Sequence, residues 1–470
     1  MTAAASRLPN EVWGEILKNV PDTDPPDKSA FKSFSLTCSA FCGISRSHLF
    51  SRIDFTSYII GDNGAPLLPS PSEVDRRIQR LDFLCSTEIA PFVRECHILG
   101  QHPSRYWSQW TFSTDAPYIL LDALFERLVR FTGLQMLYPC RISLTQPRLD
   151  ILLRLQHISK LCIVYCTVVP KQHIPLPPAV HLSEFHLWDR TDYWIPLLDP
   201  DYLRVLSVTL DSDSIRRAVQ TIPTLPNVHR LSASSNNMTS SQSLTFLSKF
   251  PGLRILSLWH YGSAIDIDVV VEMEAMFPHL QEYYGCCQAL SLFRGSTALR
   301  RMQTNLASPQ DFLIRIQAIQ GLTITSLHAT FTMLDNAVFN EIVKFLPQLT
   351  ELLLIISVED ISTLFEHEIY GDGELPGNEV LDGKCGDYVR SGFTVSTFFL
   401  ELSNVPALPP GLERLAISWE FNEDEFSEQY SSYEIPDFAD NLDTLVAKMP
   451  RSRMDLAQWH LLHVRMAAHA

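Results

Sequence analysis

Residues 251–259 read PGLRILSLW. Leu253, Leu256 and Leu258 are apolar at spacings of three and two, with Arg254, Ile255 and Ser257 between them. From Ile255 onward the alternation fits a short strand with one buried face, because successive side chains point to opposite sides of a sheet. The same frame, an apolar residue followed by apolar residues three and often five places on, recurs as LQMLYP from Leu134, ISKLCI from Ile158, LSEFHL from Leu182, LRVLSV from Leu203 and VHRLSA from Val228. It continues as LQEYYG from Leu280, LRRMQT from Leu299, ITSLHA from Ile324 and LTELLL from Leu349. Including Leu253, successive copies start 24, 24, 21, 25, 25, 27, 19, 25 and 25 residues apart. Outlying copies are VRECHI from Val93 and LERLAI from Leu412.

A second signal keeps phase with the first. Pro226, Pro251, Pro278, Pro347 and Pro410 each lie two positions before the first apolar residue of their copy. Upstream run segments with helical spacing such as QSLTFLSKF, VVVEMEAMF and NAVFNEIVKFL. Proline cannot continue a helix and biases its predecessor toward extended backbone. The expected unit is therefore a helix, a proline turn and a short strand, and stacking such units makes a parallel sheet with the consensus apolar residues inward.

This pattern resembles the leucine-rich repeat, whose period is roughly 20–29 residues, over most of residues 90 to 420. The eighth position after the first apolar residue, where the family carries Asn or Cys, holds Cys166 in one copy but Asp211, Tyr261 and Ser357 in others. The resemblance thus implies an α/β fold, an irregular leucine-rich-repeat solenoid of helix plus short parallel strand, with a concave strand face. Residues between the apolar ones face solvent there: Glu184, His186 and Trp188 in one copy, Ile255, Ser257 and Trp259 three copies later. With strands about 4.8 Å apart, Trp188 and Trp259 are expected roughly 14 Å apart. Exposed Trp favours a partner site, against the alternative that each indole leans on a neighbouring loop. Arg230, Arg301 and Arg414 fall at equivalent exposed positions, and with the two tryptophans they are the candidate substrate-binding residues.

Two acidic stretches interrupt or follow the array: residues 359–392, rich in Gly and acid, read as a loop insertion, and EFNEDEFSEQYSSYE at 420–434 precedes an expected C-terminal cap within 421–470. Upstream, GDNGAPLLPSPSEVD at 61–75 has the Gly and Pro content of a linker, within a connecting region of 56–89 that also holds a helix. Residues 6–55 then form a separate module. RLPNEVWGEIL at 7–17 has Pro9 suited to a first helical turn and Val12, Trp13, Ile16, Leu17 and Val20 on one broad apolar face. AFKSFSLTCSAFCGISRSHLFSRIDF supports two further short helices. A unit of about 50 residues buries too little surface to be stable alone and calls for a partner.

This module resembles the F-box, a three-helix unit that docks substrate receptors onto a Skp-family adaptor in cullin-based ubiquitin ligases. The matching residues are Leu8, Pro9, Glu11 and Val12, then Ile16 and Leu17, then Leu36, Cys38 and Phe41, and finally Leu49 and Phe50. The connection PDTDPPDKSAFK is longer and richer in proline than the family's. The resemblance implies that these residues bind the adaptor and, through it, a cullin. The repeat surface would then hold a target protein as the substrate-recognition subunit of an SCF-type ligase. The alternatives are a leucine-rich-repeat scaffold not coupled to degradation, with the opening helix as a solenoid cap, and a hydrolase hidden in the acidic insertion.

Composition agrees with a folded binding protein. The 470 residues are 46% hydrophobic and 19% charged, enough to bury a core, and permit about three domains or one repeat array. A net charge of -16 repels nucleic acid and anionic lipid unless a local basic patch overrides it, and none is visible along the sequence. No leader pattern and no run near the ~20 apolar residues of a membrane span occurs, so a cytoplasmic or nuclear location is expected. Ten cysteines, several in apolar segments, read as buried thiols; Cys162 and Cys166 lack the companion ligands of a zinc site. GNEVLDGKC at 377–385 has one residue too many for a phosphate loop, GISRS at 43–47 lacks the second Gly of a nucleophile elbow, and FEHEIY lacks a second His. No catalytic residue, metal or cofactor is assigned, and the expectation is a chain that is not itself an enzyme.

Overall fold

The computed structural model describes residues 29–37, 39–60, 66–67, 69–100, 119–169, 181–188, 194, 198–210, 222–235, 240–259, 277–294, 296–331, 336–358 and 409–421. The chain divides into two compact units, Met1–Val228 and His229–Ala470.

The first unit begins with helices α1 (Ser29–Ser35) and α2 (Ser39–Leu49), followed by β1 (Arg52–Thr56), the two-residue strands β2 (Ile59–Ile60) and β3 (Pro66–Leu67), α3 (Pro71–Leu84) and β4 (Glu95–Leu99). Helix α4 (Ile119–Leu128) leads into β5 (Met136–Cys140), then β6 (Ser143–Thr145), α5 (Gln146–Leu153), β7 (Lys160–Val164), β8 (Thr167–Val169), β9 (Glu184–Trp188) and β10 (Val205–Leu210). Strands β1, β4, β5, β7, β9 and β10 lie side by side in that order, all parallel. The second unit holds β11 (Arg230–Ser235), α6 (Ser240–Leu247), β12 (Ile255–Trp259), β13 (Glu282–Gly285), β14 (Arg301–Ala307), α7 (Pro309–Ile316), β15 (Ser326–Phe331), α8 (Asn336–Phe345), β16 (Glu351–Val358) and β17 (Arg414–Phe421). Its seven strands are likewise parallel neighbours in chain order.

Each of the twelve sequence copies is followed, two residues after its first apolar position, by one of these strands. Second and fourth strand positions point inward: Cys96 and Ile98, Phe185 and Leu187, Leu206 and Val208, Leu256 and Leu258, and Leu352 and Leu354 are all buried. One fully buried Leu is worth about 1.5–3 kcal/mol. Because a slip of one residue would expose every such pair, burial fixes the register. A strand precedes the first copy: β1 carries FSRIDF from Phe50, with Ile53 and Phe55 buried and paired to Cys96 and Ile98 of β4.

The prolines occupy the second position of a turn that delivers the chain to each strand. Val228, Leu253, Leu280, Leu349 and Leu412 donate their amides to the carbonyls of Leu225, Phe250, Phe277, Leu346 and Pro409 at 3.0–3.3 Å. Proline presets the backbone angle that this position requires, and the residue before each proline is a buried apolar one. Just beyond the turn, a single carbonyl of the preceding repeat accepts two amides. The His229 carbonyl takes Arg254 and Ile255, that of Arg254 takes Gln281 and Glu282, and that of Thr325 takes Thr350 and Glu351, all at 2.8–3.0 Å. This repeated fork sets the spacing of one strand on the next.

Two expectations change. Residues 71–75, assigned to the linker by composition, open helix α3: Ser70 accepts the Glu73 amide at 3.3 Å and Pro71 occupies the first turn, so the Ser and Pro that suggested a linker are a helix start. Crossings are also not uniformly α-helical. Between β13 and β14 the chain makes a 3-10 run, Cys287–Phe293, that buries Leu290, Leu292 and Phe293. The tight approach of β13 to β12 is visible at Gly285, φ +151, where any Cβ would collide with the Leu258 carbonyl oxygen.

A charged strand face and a basic cleft

In both units the first and third strand positions face away from the buried layer. In the first unit they include Arg52 and Asp54, Glu95 and His97, Met136 and Tyr138, Lys160, Glu184 and His186, and Val205 and Ser207, whereas Cys162 at the third position of β7 is buried. Lys160 Nζ lies 3.0 Å from Glu184 Oε2, and His186 Nε2 lies 3.7 Å from the same oxygen. Burial pushes the Glu184 carboxyl up, but Lys160 and His186 outweigh it and hold it below its ordinary range. His97 stacks on Tyr138 with ring centroids 5.0 Å apart, and its Nε2 is 3.6 Å from Glu95, too long for a hydrogen bond. Burial, helped by the Arg52 cation, lowers its proton affinity, so the ring is neutral near pH 7.

Trp188 is 46% exposed and its indole N–H points at Ser207 Oγ, 3.5 Å away on the adjacent strand. Trp259, at the fifth position of β12, is 37% exposed. Trp188 belongs to the first unit and Trp259 to the second. Cys162 is buried and its thiol is pushed up to about 11 by burial, while the Cys166 thiol donates to the Pro139 carbonyl at 3.3 Å. Among the described residues no cluster of three metal-ligating side chains occurs.

In the second unit the sheet register places Arg230, Ile255, Glu282, Arg301, Ser326, Glu351 and Arg414 in one row. Arg301 Nη1 stands 3.6 Å from Glu282 Oε1, and the Tyr284 hydroxyl donates to Glu282 Oε2 at 2.8 Å. Glu351 gathers Arg414 Nη1 at 2.7 Å, the Ser326 hydroxyl at 2.8 Å and His328 Nε2 at 3.6 Å. Burial raises its carboxyl, yet Ser326, His328 and Arg414 together hold it below the usual carboxylate range. The three arginines thus share a row as the sequence implies, but Arg301 and Arg414 are each matched to a carboxylate of the preceding strand. They do not form an unopposed cationic patch.

Of the residues matching the F-box, Leu8, Pro9, Glu11, Val12, Ile16, Leu17 and Cys38 lie outside the described residues. Leu36, at the end of α1, is 87% exposed, whereas Phe41 is 7% exposed and packs inward from α2. Leu49 and Phe50 are half-buried at the junction with β1. Beside that junction lies a cleft of about 980 Å³ between α1, α2, β1 and α3. Its walls carry five cations, Lys32, Arg52, Arg76, Arg77 and Arg80, against two carboxylates, Asp54 and Glu73. The apolar members include Phe50 and Phe83, whose rings meet edge to face with centroids 6.0 Å apart. Phe83 is 55% exposed. Arg77 is turned into the fold, donating to the Thr56 carbonyl at 2.9 Å and the Tyr58 carbonyl at 3.2 Å. The sequence shows no basic run here because folding joins cations from residues 32 to 80; only RRIQR on α3 hints at it.

The ladder of short parallel strands with alternate apolar positions inward is a leucine-rich-repeat-like α/β arrangement. No protein-family model matches the chain and no curated protein matches its sequence. Among solved structures it is similar to the Rad7 and Elc1 complex of yeast, at 12% identity over 74% of this chain and 86% of that one, with a TM-score of 0.33. It is also similar to a leucine-rich-repeat protein of Leptospira interrogans, at 11% identity over 80% of this chain and 74% of that one, with a TM-score of 0.27. The fold assignment rests on the strand register itself. Among the described residues no helix is long and apolar enough to cross a membrane.

Proposed function

We propose that this chain is the substrate-recognition subunit of an SCF-type ubiquitin ligase, binding a Skp-family adaptor through residues 6–55 and a target protein through the strand face. The observation that carries the reading is the ladder: a regular parallel array presents outward-facing charged and aromatic side chains, while its apolar side chains are taken up by the core. Such a face suits the selection of a protein surface. The F-box-like order of Leu8-Pro9, Ile16-Leu17, Leu36-Cys38-Phe41 and Leu49-Phe50 supplies the second support. The mechanism is proximity: a target held near a ubiquitin-charged enzyme reacts at high effective concentration, with the transfer chemistry residing in other subunits. On this reading the chain is not an enzyme, needs no cofactor, and works in the cytoplasm or nucleus.

The test is a pull-down of the full chain with a Skp-family adaptor. Wild type is expected to retain the adaptor, and the Leu8→Ala/Pro9→Ala double variant is expected to lose it. Equal retention by both removes the F-box assignment. Adaptor binding without ubiquitin transfer to any captured partner would instead leave a repeat scaffold.

A further inference from the structure

The cleft beside α3 concentrates positive charge in a chain whose net charge is -16. Arg76 and Arg80 are one helical turn apart on the same face of α3, and both are exposed. Glu73 already binds two guanidiniums, Arg76 at 2.5 Å and Arg77 at 2.8 Å, and Asp54 is engaged by Arg52 at 2.8 Å. Neither carboxylate is left to neutralise Arg80. Next to these cations is an exposed aromatic surface, Phe83 against Phe50. Exposed aromatic area with arginines beside it is the composition of a protein-binding hot spot.

We propose that this cleft is a docking groove for an acidic segment of a partner protein. Carboxylates of that segment pair with Arg76 and Arg80, and an apolar side chain seats on Phe83 and Phe50. The volume, about 980 Å³, is at the upper end of the range for ligand pockets and admits a short peptide rather than a single residue. Arg77, tied to two carbonyls of the β1 region, holds α3 in place; Arg80 is open to the ligand, and Arg76 is shared between the ligand and Glu73. The inference goes beyond adaptor docking, since its arginines and Phe83 lie on α3, outside residues 6–55, and of the residues it invokes only Phe50 is shared with the adaptor-matching residues.

The experiment is fluorescence anisotropy of the full chain with a panel of labelled short peptides rich in Glu and carrying one Phe, at low and high salt. At least one peptide is expected to bind, and its affinity is expected to fall when Glu is replaced by Gln, when Phe is replaced by Ala and when salt is raised. The Arg76→Glu/Arg80→Glu variant should weaken binding roughly tenfold or more. Arg76→Gln/Arg80→Gln should weaken it less, and Arg154→Glu, outside the cleft, should not. Circular dichroism melts of each variant separate lost binding from lost folding, and Phe83→Ala tests the apolar half of the groove independently. The proposal is overturned if no peptide binds above its Gln control, or if binding survives both the charge reversal and Phe83→Ala. Tighter binding of a single-stranded oligonucleotide of matched length would overturn it too, as would self-association of the chain that disappears in the charge-reversed variant.

Discussion

The arginines of the two units are placed in opposite circumstances. On the second unit's strand row, Arg301 and Arg414 sit one strand from Glu282 and Glu351, so each cation meets a carboxylate at 3.6 or 2.7 Å. On helix α3 of the first unit, Arg76, Arg77 and Arg80 share a helix with Glu73 as their one lining carboxylate, and positive charge accumulates. The difference lies in what supplies the neighbour. In a sheet it comes from the preceding strand, 63 residues away in sequence for Glu351 and Arg414, a separation that lets charges alternate. In a helix it comes from three or four residues along: Glu73 serves both Arg76 and Arg77, and RRIQR offers Arg80 only more cations. Cations in the row have a carboxylate on the next strand, whereas on the helix one carboxylate is shared by Arg76 and Arg77 and does not reach Arg80.

The largest expected effect breaks the row from beneath. Leu352 is fully buried in β16 next to Glu351, and Leu352→Ala should lower unfolding stability by about 2–5 kcal/mol in urea titration, releasing the Glu351 cluster with it. Removing the carboxylate is smaller. Glu351→Ala strands the buried Ser326 hydroxyl and should cost about 1–2 kcal/mol, with little from Arg414 because that side chain is 56% exposed. A cost below that of an ordinary surface substitution would show that the row is decorative.

Acid titration separates the histidine of the first unit from the carboxylates of both units. The folded pKa of His97 is lowered, so its contribution is complete above the unfolded value of about 6.5 and diminishes as pH falls below it, when the unfolded chain gains the proton. Glu184 and Glu351 also have lowered folded values, and their contributions, present above about pH 4.3, are lost as pH falls further toward the folded values. Urea midpoints measured from pH 8 to pH 3 should therefore fall in two stages. His97→Gln should abolish the first and spare the second; a first stage unchanged in that variant would assign it to another group. The smallest expected change in stability is that of Arg76→Glu/Arg80→Glu, since surface ion pairs such as Arg76–Glu73 contribute about 0.2–0.5 kcal/mol.

The repeat period and the proline phase were legible because both arise from local chemistry: alternate burial in a strand and a turn that fixes one backbone angle. The same frame is present in FSRIDF from Phe50, yet these residues also fit the end of a helical module, and only pairing of Ile53 with Cys96 decides that they begin the ladder. Pro71 and Ser70 misled for a similar reason. Linkers and helix starts use the same residues, and the Glu three places after Ser70 is the distinguishing mark. The outward positions of Trp188, Trp259 and the three arginines followed from the alternation, but their partners did not. Ser207 for Trp188 and Glu351 for Arg414 are set by register between strands, and the basic cleft gathers residues 32 to 80 that no sequence window contains.

A receptor that joins an adaptor to a target must bind that adaptor itself, which is measured by titrating the purified chain with a purified Skp-family adaptor in a calorimeter, in parallel with the Leu8→Ala/Pro9→Ala variant. Wild type is expected to form a saturable complex of one adaptor per chain, and the variant to lose most of that binding. No heat of binding from either protein, or identical isotherms from both, would contradict it.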